Sequence, residues 1–206
     1  TAPPATHSHR RAITLVAYNV NTANDRFDAV IAALRATDAD VIAVLETNGR
    51  WSRALRRVDT RYQVLTHPRA DNFGLTVLTR LPVRRWRVRH MSGAKTPAID
   101  VRVDVGGTPV RIIAVHTVPP TSATWSSHRD AQLAEVAALA QEATAAMVVL
   151  GDFNATPWCA PMLRFAEVSG LVDSLQGLGA QPSWPGFLGP LGIPIDHVWH
   201  SPTLVR

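Results

Sequence analysis

The chain is built from short apolar runs, several of which end in a single polar side chain. Val-Ile-Ala-Val-Leu at residues 41–45 is followed by Glu46, and Val-Val-Leu-Gly at residues 148–151 is followed by Asp152. Runs of this length, rich in β-branched residues, are typical of buried strands. They are far shorter than the roughly 18 apolar residues that a membrane-spanning helix requires. The sequence therefore predicts a folded domain around a buried sheet.

Strand and helix patterns succeed one another along the chain. The first third predicts a strand, a helix and a strand at residues 13–20, 27–36 and 41–45. Strands then follow at residues 62–65, 74–79, 83–89, 98–105 and 110–116, with Gly106-Gly107 as a hairpin turn. The last third predicts helices at residues 131–143 and 162–168, and strands at residues 147–150 and 195–199. Residues 177–194 are expected to form a loop. This order favours a mixed α/β fold in which two sheets pack as a sandwich with helices outside.

The length of 206 residues fits one domain, which we assign to residues 13–206. Residues 1–12 contain prolines and polar side chains, so we expect a flexible leader there. The sequence does not begin with methionine, so an upstream signal peptide or membrane anchor would lie outside it. The single cysteine, Cys159, cannot form an internal disulfide, and this leaves the cellular compartment open.

The net charge of +5 favours contact with an anionic partner. Of the 21 basic residues only Lys95 is a lysine, and a bias of this kind also follows from genome base composition. Residues 84–89, Arg-Arg-Trp-Arg-Val-Arg, have two interpretations. They are either a nucleic-acid surface, or an edge strand that its charges protect from aggregation.

Polar side chains recur at the ends of the predicted strands, where open α/β sheets gather their sites. They are Asn19, Glu46, His116, Asp152 with Asn154, and Asp196 within the last strand. Taken singly, most of them could be turn or cap residues. A carboxylate that ends an apolar run, as Glu46 does, is costly to bury unless it is paired or binds a cation.

Together these residues suit the hydrolysis of a phosphoester with a hard divalent cation. Mg²⁺ needs only one or two carboxylates and accepts phosphate oxygens as further ligands. An amide and an imidazole can hold the phosphoryl oxygens, while an aspartate orients the attacking water. The sequence shows no Cys/His cluster that would suggest zinc.

At this point the chain resembles the endonuclease/exonuclease/phosphatase superfamily, which includes DNase I. The most specific motif is Gly151-Asp152-Phe153-Asn154 after an apolar strand. Further blocks that match in order are Tyr18-Asn19, residues 40–46, 73–80 and 115–117, and Ile195-Asp196-His197-Val198. The resemblance implies a four-layer α/β/β/α sandwich of two mixed sheets flanked by helices.

The resemblance also implies roles and a cofactor. The implied cofactor is Mg²⁺, for which Mn²⁺ could substitute, and the implied metal ligands are Glu46 and Asn19. Asp152 would position the water, and the other implied catalytic residues are His116, Asn154, and Asp173 or Asp196. Candidate substrate contacts are Asn19, Asn72, Arg80, Trp184 and His197.

One departure concerns the general acid/base. Family members end in a Ser-Asp-His tripeptide whose histidine fills that role, and the sequence stops at Arg206 before such a motif. The alternatives are a fragment, a catalytically silent relative, or another histidine in that role. We expect the chain as it stands to be weakly active or inactive.

The substrate is expected to be a nucleic acid, a phospholipid or a lipid pyrophosphate, and no obligate protein partner is indicated. The resemblance is nearest to bacterial members, some of which carry a membrane anchor before an extracytoplasmic catalytic domain. This favours an extracytoplasmic or secreted location, with the cytoplasm as the alternative. A binding module of the same fold without catalysis is the alternative to an enzyme.

Overall fold

The computed structural model describes residues 11–205. Residues 1–10 of the predicted leader lie outside this range, and Arg11 and Ala12 belong to no helix or strand. Among the helices described, none is long and apolar enough to cross a membrane.

The first half of the chain forms a four-stranded sheet and two helices. Its strands are β1 (Leu15–Asn19), β2 (Val41–Leu45), β3 (Gln63–His67) and β4 (Leu75–Thr79), in the order β1-β2-β4-β3. β1 and β2 are parallel because helix α1 (Phe27–Ala36) connects them, whereas β4 runs antiparallel to β2 and β3. A second helix, α2 (Gly49–Leu55), follows β2.

The second half forms a six-stranded sheet and two further helices. Its strands are β5 (Val83–His90), β6 (Pro97–Val105), β7 (Thr108–His116), β8 (Ala146–Asp152), β9 (Val172–Asp173) and β10 (Asp196–His200), in the order β5-β6-β7-β8-β10-β9. Helix α3 (Ala123–Gln141) makes the crossover between the parallel strands β7 and β8, and α4 (Ala160–Ser169) follows β8.

Alternate residues of the central strands face opposite layers, which explains their uninterrupted apolar sequences. One set packs between the two sheets, and includes Val41, Ala43, Leu45, Val77, Ile112, Ala114, Val148 and Leu150. The outer face of the four-stranded sheet packs against α1 and α2 through Ile42, Val44, Ile31 and Trp51. The outer face of the six-stranded sheet packs against α3 and α4 through Ile113, Val149, Val136 and Phe165. The predicted four-layer α/β/β/α sandwich is confirmed.

The main differences from the sequence prediction are helical. Helix α2 was not predicted, although Asn48 accepts hydrogen bonds from the backbone N–H groups of Arg50 and Trp51 and so caps its start. Helix α3 begins at Ala123, eight residues before the predicted start at 131, because Ser122 caps it. The predicted loop at residues 177–194 contains a short 3-10 helix, Gly186–Leu191.

The arginine-rich segment forms the edge strand β5, and three of its side chains are paired with aspartates. Arg84 pairs with Asp104, while the Nε atoms of Arg87 and Arg89 lie 3.2 and 2.7 Å from Asp100 Oδ2. These cations are partly neutralised within their own sheet. The arrangement favours the interpretation of a charged, protected edge over that of a free phosphate-binding surface.

Candidate active site

Three titratable side chains lie next to one another at one edge of the six-stranded sheet. His116 is the register partner of Asp152 in the parallel pair β7–β8, and Asp196 is the partner of Asp152 in the antiparallel pair β8–β10. Each lies an even number of residues from a residue of its own strand that faces the other sheet. The pairs are His116 with Ile112, Asp152 with Val148, and Asp196 with Val198. Strand alternation therefore projects all three from the same face toward the junction of the sheets.

The four-stranded sheet supplies two more side chains at this junction. Asn19 ends β1, and Glu46 directly follows β2. The Asn19 amide nitrogen donates to Glu46 Oε1 over 2.8 Å and lies 3.5 Å from Asp152 Oδ2. One amide thus bridges a carboxylate of each sheet.

Glu46 is held in place by a residue that the sequence analysis did not single out. The backbone N–H of Thr22 donates to Glu46 Oε2 over 3.2 Å, and the Thr22 hydroxyl donates to the Glu46 carbonyl over 2.9 Å. Glu46 has a φ of +61°, a conformation that is uncommon outside glycine and that functional sites often stabilise. Nothing in the pattern around Thr22 signals this role, because it depends on how the β1–α1 loop folds back.

Local contacts explain the residues of the Gly-Asp-Phe-Asn motif. A Cβ atom on Gly151, whose φ is +137°, would lie 2.0 Å from the carbonyl oxygen of Val115, so only glycine fits there. Phe153 is fully buried and anchors the turn. Asn154 donates from its backbone N–H to Asp152 Oδ1 and from its side chain to the Thr117 carbonyl, each over 2.8 Å.

Burial shapes the electrostatics of the three neighbouring groups. Burial raises the pKa of Asp152 to about 6, and the negative charge of Glu46 adds to this effect. Burial and the charge of Asp152 raise the pKa of Asp196 to about 6. Burial lowers the pKa of His116, whose Nε2 lies 3.6 Å from Asp152 Oδ2. The site therefore combines carboxylates that repel one another with an imidazole that is neutral near pH 7.

His116 and Asp152 line a cleft of about 610 Å³, and Asp196 lies opposite Asp152 on the adjacent strand. The lining of the cleft includes Asn19, Glu46, Asp71, Asn72, Phe73, His116, Thr121, Trp125, Asp152, Asn154, Trp184 and Ile195. The ring of Phe73 packs against that of His116 with centroids 5.2 Å apart. The cleft is thus acidic at its base and aromatic on its walls, a combination suited to a ligand with a charged group and an apolar or planar part.

Three of the predicted site residues lie away from the cleft. Arg80 follows β4, which runs antiparallel to β2, so it lies at the opposite edge and pairs with Asp38. His197 follows Asp196 and alternation turns it to the other face, where its Nε2 lies 2.8 Å from the Ala155 carbonyl. Asp173 pairs with Trp199 further along β10, and its carboxylate accepts from the backbone of Leu175. Asn72 and Trp184 do line the cleft.

The oxygen ligands of this site suit a hard cation that keeps several waters better than a metal ion enclosed entirely by protein side chains. Glu46 and Asp152 supply carboxylate oxygens, which face the Asn19 amide nitrogen, while Asn19 Oδ1 accepts from the backbone N–H of Asn21 over 2.9 Å. The Oδ1 atom of Asp196 is buried without a hydrogen-bond partner among residues 11–205. In this described part of the chain no three His, Cys, Asp or Glu side chains converge into a metal cage. Sparse carboxylates that repel one another are what Mg²⁺ accepts while keeping several waters.

Comparisons with solved structures return the same fold at low sequence identity. Humanized D. rerio TDP2 has a TM-score of 0.79 at 15% identity, over 94% of this chain and 85% of that chain. Sphingomyelinase C from Streptomyces griseocarneus has a TM-score of 0.72 at 17% identity, over 95% and 86%. An endonuclease/exonuclease/phosphatase from Beutenbergia cavernae DSM 12333 has a TM-score of 0.73 at 21% identity, over 94% and 65%.

Among curated proteins, no sequence matches this chain. The model of the Endonuclease/Exonuclease/phosphatase family, in contrast, matches residues 16–206, which include every side chain placed in the cleft. The order of the motifs, the two-sheet architecture and this match agree, and the chain belongs to the endonuclease/exonuclease/phosphatase family.

Proposed function

We propose that this protein hydrolyses phosphoesters with the help of Mg²⁺, for which Mn²⁺ can substitute. The observation that carries the proposal is the single Asn19 amide that joins Glu46 to Asp152 across the junction of the two sheets. A structural role alone does not require three acids, one buried and two half-buried, to share one edge with a neutral histidine, since their mutual repulsion costs stability. Binding of an anionic ester through a cation would offset that cost.

Glu46 would hold the cation, and Asn19 would join it with Oδ1 once its amide turns from Asn21 toward the cleft. When bound, the cation would neutralise charge on the phosphoryl group. Asp152 is placed to orient the attacking water, because Asn154 fixes its Oδ1 and leaves Oδ2 toward Asn19 and His116. A neutral His116 can donate a hydrogen bond to a phosphoryl oxygen. The free oxygen of Asp196 is available to accept a proton or to orient the group that carries one.

Two substrate classes share this chemistry. One neighbour in fold, D. rerio TDP2, was solved with a single-strand DNA product, and another is a sphingomyelinase. In this chain Trp125 and Trp184 line the cleft and can contact either a base or a lipid. We propose a phosphodiester or phosphomonoester of a nucleic acid or a lipid as the substrate.

The test is hydrolysis of bis-p-nitrophenyl phosphate with Mg²⁺ or Mn²⁺ by the parent chain and by Glu46→Gln and Asp152→Asn. In keeping with the weak activity expected from the sequence, we expect a low metal-dependent turnover in the parent chain and a further fall of roughly 100-fold or more in each variant. Matched controls are Glu142→Gln and Asp25→Asn, which change exposed acids outside the cleft and should leave turnover unchanged.

Calorimetric titration with Mg²⁺ separates catalysis from binding. Glu46→Gln should weaken Mg²⁺ binding, whereas Glu142→Gln should not. A folded parent chain that binds Mg²⁺ but hydrolyses neither this ester, DNA nor a phospholipid would overturn the proposed activity in favour of a binding module. Turnover that survives in Asp152→Asn would overturn the role given to Asp152.

A further inference from the structure

Beside the cleft lies a surface that the proposed hydrolysis does not use. Residues 184–193, Trp-Pro-Gly-Phe-Leu-Gly-Pro-Leu-Gly-Ile, form what we term the apolar rim loop. Phe187 is 87% exposed, Leu191 81% and Trp184 57%, and Leu188 and Ile193 are also exposed. Large apolar side chains this exposed, contiguous along one loop, are unusual on a soluble surface and mark a site of interaction.

The apolar rim loop projects from a fixed base. The backbone N–H and C=O groups of Trp184 and Ile193 pair with each other over 3.0 and 2.7 Å, which closes the loop. The Ser183 hydroxyl accepts from the N–H of Ile195 over 3.1 Å, next to Asp196. Phe187 and Leu191 therefore extend from a base that lies at the mouth of the cleft, where Trp184 forms part of the lining.

Two further tryptophans are exposed on the segments that follow β7 and β8. Trp125 lines the cleft at the start of α3, and Trp158 follows the turn at Asn154 and is 59% exposed. Tryptophan side chains favour the interface between water and lipid, because their rings are apolar and their N–H remains polar. Of these exposed side chains, Trp125 and Trp184 border the cleft directly, so aromatic surface lies beside its entrance.

The chemistry of the loop distinguishes between partners. No charged residue occurs between Asp173 and Asp196, so the loop offers no cation to a nucleic-acid backbone. Within residues 184–193 the Trp184 indole is the only polar side chain, whereas protein interfaces carry a polar rim with hydrogen bonds. Pro185 and Pro190 also lack an N–H, which reduces the cost of moving this backbone into lipid.

We propose that the apolar rim loop inserts Phe187 and Leu191 into a lipid bilayer and holds the cleft against its headgroups. The net charge of +5 adds attraction to an anionic bilayer surface. This binding goes beyond the proposed hydrolysis and does not depend on it, because none of the inserting side chains touches the acids at the base of the cleft.

The experiment is co-sedimentation of the 206-residue chain with vesicles of phosphatidylcholine, with and without about one third phosphatidylglycerol. We expect binding to both, stronger with phosphatidylglycerol, and a loss of about tenfold or more in the partition coefficient of Phe187→Ser/Leu191→Ser. The matched control is Trp86→Ser/Val205→Ser, which also removes one exposed aromatic and one exposed aliphatic side chain but at other places in the fold. Circular dichroism checks that both variants fold.

Three outcomes would overturn the proposal. The first is a parent chain that sediments with neither vesicle, and the second is a Phe187/Leu191 variant that sediments as well as the parent. The third is a parent dimer in analytical ultracentrifugation that the same variant abolishes, which would make the loop an interface between two copies. Because bis-p-nitrophenyl phosphate is soluble, its hydrolysis should be equal in the parent and the loop variant. Loss of vesicle binding and loss of the proposed activity are therefore distinguishable.

Discussion

At the scale of single residues, the acids Glu46 and Asp152 of the cleft are each held by hydrogen bonds from other residues. Glu46 is held by Thr22 and Asn19, and Asp152 by the backbone of Asn154. Gly151 has no side chain to contribute, yet its missing Cβ is what allows β8 to pass the Val115 carbonyl so closely. The position of Asp152 beside His116 depends on that close approach.

Replacing Gly151 by alanine should therefore damage both stability and activity. We expect Gly151→Ala to lower the free energy of unfolding by about 3 kcal/mol, since the new Cβ would clash with backbone that cannot move aside. Chemical denaturation measures the loss, and ester hydrolysis under conditions where the variant is folded measures the displacement of Asp152.

The matched control is Gly170→Ala at the end of α4. Gly170 also has a positive φ, +63°, but a Cβ there meets nothing within 4 Å. This change should cost only about 1 kcal/mol and leave turnover intact. Equal losses in the two variants would mean that the positive φ matters at Gly151 and the close approach does not.

At the scale of elements, strand direction decides which predicted residues reach the cleft. Asn19, Glu46, His116 and Asp152 follow strands whose carboxyl ends lie at one edge, and the sequence pattern was enough to find them. Arg80 was misplaced because β4 runs the other way, and direction depends on pairings between distant segments that a local pattern does not contain.

Helix α2 and Thr22 were beyond the sequence analysis for related reasons. Helix α2 spans only Gly49–Leu55 and contains two arginines, so its apolar period is too short to stand out from the adjacent charged residues. The contacts of Thr22 form only when the β1–α1 loop folds over Glu46. Short helices and loop contacts are set by tertiary packing, which single-sequence patterns do not report.

The contribution of the N-terminal cap of α2 to the free energy of unfolding can be measured. Asn48 accepts from Arg50 and Trp51 and donates to the Thr22 carbonyl over 3.2 Å. We expect Asn48→Ala to lower the free energy of unfolding by about 1 kcal/mol, and Asn48→Asp to retain most of it because a carboxylate also caps a helix. Thermal denaturation of both variants is the measurement. A loss in Asn48→Asp as large as in Asn48→Ala would assign the stability to the Thr22 contact instead.

The β5–β6–β7 sheet contains a buried ion pair that should make the fold sensitive to acid. Burial alone would raise the pKa of Asp100, but hydrogen bonds from Arg111 and Arg89 lower it to about 2, below its ordinary value of 3.8. The unfolded chain therefore binds the proton more tightly, so the stabilisation is present above pH 4 and is lost as the pH falls toward 2. We expect a loss of roughly 2 kcal/mol over that range, measured by denaturation at a series of pH values.

Asp100→Asn should remove this pH dependence and cost roughly 3 kcal/mol at pH 7, because the buried Arg111 guanidinium loses its counter-charge. The matched control is Asp28→Asn, which breaks an exposed pair with Arg57 and should cost almost nothing. An acid transition that is unchanged in Asp100→Asn would show that other carboxylates govern it.

At the scale of the whole molecule, the cleft lies where the two sheets meet, so its geometry depends on the core between them. Asn19 and Glu46 come from one sheet, while His116, Asp152 and Asp196 come from the other. The apolar layer between the sheets sets the 3.5 Å separation of Asn19 Nδ2 and Asp152 Oδ2. A cavity in that layer should therefore change the geometry of the cleft.

Two adjacent valines of β8 test this dependence. Val148 packs between the sheets, and Val149 packs under α3 and α4, both essentially inaccessible to solvent. We expect Val148→Ala and Val149→Ala each to lower the free energy of unfolding by about 2 kcal/mol. Val148→Ala should reduce turnover several-fold more than Val149→Ala. Equal turnover in the two variants would show that the sheets do not shift against each other.

The side-by-side placement of His116, Asp152 and Asp196 has a consequence for how proteins of this fold can change. These three residues lie on strands whose ladders fix them, whereas the neighbouring segments leave the sheet and return, namely those with Trp125 and Trp158 after β7 and β8, and the apolar rim loop before β10. Loops anchored in this way can be exchanged or lengthened without moving the acids. Polar residues in place of residues 185–192, with the cleft residue Trp184 and its partner Ile193 retained, should therefore detach the protein from vesicles and preserve its chemistry. Reaction and location would then be separable traits that selection can alter one at a time.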